Sequence, residues 1–246
     1  MTGRPRARRV AGVDGCRAGW VVATVLPVQR AAWRSEDPQG HVEVEVIRDF
    51  SELTRRIAAG ELDVATVDIP IGLSEGGARA CDRAARSMLG PRRSSVFPAP
   101  ARAVLGAVTY EEACARSEAA SGKRISKQLF NILPKIREAD EALARRPATR
   151  DRIFESSPEL SFAVLAGAPL RANKHTAAGR AERLEALRHG LPDVEAAAIA
   201  TPSGAQADDV LDALAGAWTA RRVVAGTHLV LGGDVDSTGR PMTVTV

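Results

Sequence analysis

Asp14, Asp68, Glu159 and the trio Asp208, Asp209 and Asp212 are the residues of this 246-residue chain whose types and spacing could do chemistry. Asp68 lies within the apolar run 64–71, where a carboxylate gives up water only if something compensates its charge. Asp14 follows Val10-Ala11-Gly12-Val13 and meets the same difficulty, although Asp before Gly also suits a hairpin turn. Asp209 and Asp212 are spaced i, i+3, and Asp208 and Asp212 i, i+4, so at least two of the three share a helix face. Glu159 after Pro158, and Asp208 with Asp209, would also complement a helix dipole, and that plainer reading stays open. Carboxylates brought to about 4 Å repel by roughly 4 kcal/mol at an effective dielectric near 20. Such a cluster either holds protons or recruits cations. All-oxygen ligation suits Mg²⁺ or Mn²⁺. Two such ions about 3.5–4 Å apart can activate a water and stabilise the leaving oxygen of a phosphodiester. Asp14, Asp68, Asp209 and Asp212 are the expected metal ligands, and Glu159 joins them as an expected catalytic residue. Which of Glu155, Glu159, Asp208 and Asp212 completes the set stays open.

Candidate substrate contacts are basic. Arg79, Arg83 and Arg86 recur at i, i+4, i+7 and form one helix face that could grip phosphates, with Arg79 and Arg86 the favoured pair; pairing with Asp82 is the alternative. Lysine occurs only at Lys123, Lys127, Lys135 and Lys174, which singles out Lys127 and, in a polar loop beside His175, Lys174. Gly72, Gly76 and Gly77 lack the lysine and hydroxyl of a phosphate-binding loop, which counts against nucleotide hydrolysis.

The elements that must position these groups read as α/β. Val10–Asp14 and Trp20–Val25 form a hairpin about Gly15-Cys16-Arg17-Ala18-Gly19, and His41–Ile47 alternates as a strand with one wet face at the sheet edge. Phe50–Ala59 reads as a short helix capped by Ser51 and closed by Gly60, with Leu53 and Ile57 inward. Val64–Ile69 reads as a buried central strand reached by a parallel crossover. Residues 75–90 and 109–146 form a helical block expected to cap one end of the sheet. Strand 152–155, helices 160–166, 177–189 and 207–225, and a closing hairpin of 228–231 with 242–246 around Gly232-Gly233 follow.

Length and a 45% hydrophobic content permit a full core, and the expected organisation is a basic disordered arm over 1–9 followed by one domain over 10–246. No apolar run approaches the ~20 residues that span a bilayer, and no secretory signal is apparent, so a cytoplasmic location and no membrane partner are expected. Three cysteines, Cys16, Cys81 and Cys114, show no metal or disulfide spacing. A net charge of +4 would help a nucleic-acid partner without demonstrating one.

Four ordered motifs carry a resemblance: Gly12-Val13-Asp14-Gly15-Cys16-Arg17-Ala18-Gly19-Trp20, Val67-Asp68-Ile69-Pro70-Ile71-Gly72-Leu73, Ser157-Pro158-Glu159-Leu160-Ser161-Phe162 and Ala207-Asp208-Asp209-Val210-Leu211-Asp212-Ala213-Leu214-Ala215. With Ser95-Val96-Phe97-Pro98 and Lys174-His175-Thr176 between them, the chain resembles a family of predicted RNase H-like nucleases catalogued as domain of unknown function 429. The resemblance implies an RNase H-like fold, a mixed five-stranded sheet flanked by helices, with a helical insertion and a C-terminal hairpin. It also implies that a first-strand aspartate, a central-strand acid and late-helix acids bind divalent metal. The late-helix signature is similar to that of RuvC-type resolvases. Where the family pattern often has a histidine before Pro-Glu, this chain has Ser157, so a proton-carrying histidine is not implied there.

The leading expectation is therefore a metal-dependent nuclease acting on DNA or RNA with water as nucleophile. A non-catalytic nucleic-acid-binding or scaffolding domain of the same fold is a second reading. An actin-like phosphotransferase is a third, weakened by the missing phosphate loop. An aromatic share of 4% favours recognition by backbone and shape over stacking. A homodimer stays open.

Overall fold

A computed structural model describes residues 8–26 and 40–246 of the chain. Its centre is a five-stranded mixed sheet in the order β3-β2-β1-β4-β5, built from β1 (Val10–Cys16), β2 (Gly19–Leu26), β3 (His41–Ile47), β4 (Val64–Val67) and β5 (Ile153–Glu155). β2 runs antiparallel to both β1 and β3, while β1, β4 and β5 run parallel. The α/β class and the five-stranded mixed sheet are as expected. β3 occupies an edge, with Val42 buried and Glu43 and Glu45 exposed, as its alternation implies.

The hairpin is longer than its breakers suggest. Gly15 and Cys16 pair with Trp20 and Gly19, leaving only Arg17-Ala18 as the turn, so Asp14 sits inside β1 rather than closing it. Gly19 allows this, at φ 144° and with a would-be Cβ 2.1 Å from the Ile47 carbonyl oxygen.

Helices cover both faces. On one side, Ala11, Val13, Trp20, Val22, Ala65 and Val67 pack on α1 (Phe50–Ala58), α3 (Tyr110–Ser121) and α4 (Lys127–Arg145). The 109–146 part of the helical insertion thus lies across a face of the sheet, because α4 presents Leu129, Leu133 and Ile136 as one apolar stripe. Residues 75–79 are not helical; the insertion starts with α2 (Ala80–Leu89). Asp49, not Ser51, caps α1 by accepting from the Glu52 N–H. On the other face, Val10, Val21, Ala23 and Val64 pack on α8 (Ala207–Ala225), with α5 (Pro158–Leu165), α6 (Ala177–Arg188) and α7 (Val194–Ile199) outside it.

A C-terminal hairpin, β6 (Val230–Val235) and β7 (Pro241–Thr245), leans on α2 and α5 through Met242 and Val244. Its turn is residues 236–240. Gly232-Gly233 falls inside β6, at an irregularity in the pairing, and does not make the turn.

Residues 1–7 of the expected basic arm lie outside the described residues. Arg9 is anchored: its N–H donates to Asp63 Oδ2 at 2.8 Å and its carbonyl accepts from the Asp63 N–H at 2.8 Å. Cys16, Cys81 and Cys114 are buried thiols. No helix among the described residues is long and apolar enough to cross a membrane.

Candidate active-site cleft

The parallel pairing of β1 with β4 ends at Val13 and Val67, where the Asp68 N–H donates to the Val13 carbonyl at 2.9 Å. Side chains alternate across a sheet, so Asp14 and Asp68 emerge as neighbours on the face that carries α8. Gly12 and Thr66, two residues earlier on each strand, confirm that parity. A Cβ on Gly12 would meet Ala213 and Ala217, and the Thr66 hydroxyl donates to the Gly216 carbonyl at 2.7 Å. The same packing aims the first turns of α8 at the strand ends. Asp14, Asp68, Asp209 and Asp212 all line one cleft of about 820 Å³, at the carboxyl ends of the parallel strands where open α/β sheets bind ligands.

Asp212 is buried in the floor. One oxygen accepts from Lys174 Nζ at 2.7 Å, and the other, Oδ1, is buried with no hydrogen-bond partner among the described residues. Among the described residues, Asp14 accepts from the N–H of Gly15, at 2.8 Å. Its pKa lies well above the usual carboxylate range because of burial, then repulsion from Asp68 and Asp212, partly offset by Lys174. Asp68 is reached by solvent, yet protein crowds it deeply enough that burial and then Asp212 raise its pKa to about 7. Burial also raises Asp212, against the pull of Lys174, and raises Asp209, whose Oδ2 accepts from the Gln206 N–H at 2.8 Å. Asp208 faces His175, with Nδ1 3.3 Å from its Oδ2, and stands 4.0 Å from Lys174 Nζ.

Two other acids, Glu155 and Glu159, also line the cleft, but each is held by an arginine. Glu155 pairs across from Val67, one residue out of phase with Asp68, and both its oxygens bond Arg79 at 2.6 and 2.7 Å. Glu159 borders the cleft but is bound by Arg183, a fully buried guanidinium, and approached by Arg92 at 3.4 Å.

Among the expected substrate contacts, Lys174 lies in the cleft. Arg79 does not present itself to a phosphate: it is buried and occupied by Asp82, Glu155 and the carbonyls of Ile71 and Gly72, because two buried acids there require a cation. Arg86 bonds the Val96 carbonyl at 2.6 Å and so braces the 90–98 loop that forms one wall. Lys127 sits over the rings of Tyr110 and Phe130, at 4.6 and 4.9 Å, away from the cleft lining. Sequence reasoning missed Arg92 and Lys135. Lys135 lines the cleft, with its ammonium on the Gly19 carbonyl and 4.4 Å from the Trp20 ring. A signal existed: Gln128, Ile132 and Lys135 are spaced i, i+4, i+7 and all face the cleft.

Hard oxygen donors, raised carboxyl pKa values and an unpartnered buried carboxylate oxygen fit a divalent cation. Among the described residues no three Asp, Glu, His or Cys side chains already close to a metal-ligand cage; the Lys174 ammonium stands among the acids instead.

Fold and cleft together define an α/β protein with a carboxylate-floored cleft at the ends of its parallel strands. Residues 12–237 match the family described as "Protein of unknown function (DUF429)", and the chain belongs to that family. No curated protein matches the chain.

Proposed function

We propose that the protein is a divalent-metal-dependent nuclease of RNase H-like type, hydrolysing phosphodiester bonds of DNA or RNA with Mg²⁺ or Mn²⁺, two ions at a time. One observation carries this reading: Asp14, Asp68 and Asp212, from three distant parts of the chain, line one cleft whose floor holds a carboxylate oxygen with no partner. Asp14, Asp68, Asp209 and Asp212 would hold the metal. Bound there, it would supply positive charge to the phosphoryl oxygens and acidify a water as nucleophile. Arg92 and Lys135, which both line the cleft, would hold the flanking phosphates. Glu159 acts in this scheme as wall, not ligand, since Arg183 and Arg92 already neutralise it.

The cleft volume is that of small-ligand sites, and Phe97 is exposed in its wall, so unpaired strands belong beside duplexes among the substrates tried. The test is a cleavage screen over labelled single-stranded, duplex and branched DNA and RNA with Mn²⁺, comparing the native chain with Asp14→Asn and Asp209→Asn. Both variants should lose at least about a hundredfold in rate, on the order of the effect of losing one electrostatic stabiliser. Equal cleavage by all three proteins would assign the activity elsewhere. The internal ammonium of Lys174 favours one rival, a nucleic-acid-binding or scaffolding domain whose acids are neutralised without metal. No heat of Mn²⁺ or Mg²⁺ binding and no rise in melting temperature would select it.

A further inference from the structure

We propose that Lys174 is a tethered rival of the divalent ion, holding Asp212 in the metal-free protein and releasing it when the ion binds; this rests on the metal-dependent reading above. The pair is asymmetric. Asp212 is fixed in α8 with its side chain 4% exposed, whereas Lys174 comes from the loop between α5 and α6 and is 34% exposed. The loop backbone is pinned: the Asn173 side chain accepts from the His175 N–H at 3.0 Å, Thr176 caps α6, and His175 approaches Asp208. The movable part is thus the four-carbon stem of Lys174, with one strongly hydrated cation at its tip.

Nζ lies 2.7 Å from Asp212 Oδ2 and 4.0 Å from Asp208 Oδ2, and it also interacts electrostatically with Asp14 and Asp68. It therefore supplies one positive charge to a group of acids that repel one another. One ammonium leaves the job unfinished, because Asp212 Oδ1 stays buried without a partner. A divalent ion would bring twice the charge and hard-cation affinity for the same carboxylate, so ion and ammonium would compete electrostatically for Asp212. A Lys174 tip released from Asp212 remains in the cleft, which it already lines, and a substrate phosphate would be its next anion. Ion loading and phosphate binding are thereby coupled, each favouring the other.

The experiment is calorimetric titration of Mn²⁺ into the metal-free wild type, Lys174→Gln and Asp212→Asn. Removing a competing charged hydrogen bond should tighten Mn²⁺ binding to Lys174→Gln by about tenfold or more. Its metal-free melting temperature should fall as the acids lose their counter-charge, while Asp212→Asn binds more weakly than wild type. Equal or weaker binding by Lys174→Gln, with wild type binding Mn²⁺, overturns the rivalry and leaves the metal site standing. Binding by neither protein overturns both. Should Lys174→Gln fail to fold, the wild type alone decides: Mn²⁺ should speed acetylation of Lys174 by a soluble anhydride, followed by mass spectrometry, and an unchanged or slower rate overturns the proposal.

Discussion

Gly12 in β1 and Gly216 in α8 pass each other with no side chain between them: a Cβ added to Gly216 would lie 3.1 Å from the Gly12 Cα, and one added to Gly12 would lie 2.0 Å from backbone atoms of Ala213 and Ala217. This approach brings the helix carboxylates down onto the strand that carries Asp14. A glycine inside a strand pattern commonly marks such a close passage of backbones.

Gly12→Ala should therefore act on stability and site together. Overpacking usually costs about 1–3 kcal/mol, and here the obstruction is backbone that cannot turn aside, so the upper end applies. Urea unfolding should show the loss, and Mn²⁺ affinity should fall with it. A wild-type denaturation midpoint would contradict the packing.

Arg79→Met removes the guanidinium that bridges Asp82 and Glu155, both buried. Breaking a buried pair on one side costs about 3–5 kcal/mol, and this variant should sit in that range by chemical denaturation. Any nucleic-acid affinity, measured on the folded fraction, should match wild type, since the guanidinium does not line the cleft.

Glu159→Gln should separate wall from ligand. Mn²⁺ affinity should stay within about threefold, while stability drops by about 3 kcal/mol because Arg183 is left buried without its carboxylate. A large loss of Mn²⁺ affinity with normal stability would return Glu159 to the metal-binding set.

Asp236 sets an acid limb. Burial alone would raise its pKa, but the Arg240 N–H, the Thr238 hydroxyl, the Leu73 N–H and the Arg102 guanidinium together hold it well below the usual carboxylate range. A depressed folded pKa contributes stability that is fully present above the unfolded value of about 3.9 and lost as pH falls through the folded one. Asp236→Asn should be less stable than wild type at pH 7, with the gap closing below about pH 4. Melting temperatures from pH 2 to 7 test this, and a gap constant with pH would refute it.

Legibility in the sequence followed the range of the forces involved. The α8 boundaries, Ala207 to Ala225, agree with the sequence reading, because apolar periodicity and the Gly226 stop are local signals. The C-terminal turn was misplaced: Gly232-Gly233 looks like a turn, but the carboxylate of Asp236 gathers the N–H groups of Thr238 and Arg240 and fixes the reversal there. That Asp14, Asp68, Asp209 and Asp212 share a cleft could be anticipated from charged residues at the ends of apolar runs. The separate fates of Glu155 and Glu159 could not. They depend on Arg79, 76 residues from Glu155, and on Arg183, 24 residues from Glu159, and no local pattern announces either partnership.

The route by which α8 reaches the sheet has a consequence for biosynthesis. A nascent chain that has emerged through β5 can already align the five strands, with Asp14 and Asp68 adjacent, yet it lacks Asp209 and Asp212. The cleft floor is completed only when the segment that ends at Ala225 docks against Gly12, so the half-made protein on the ribosome carries no assembled acidic cleft.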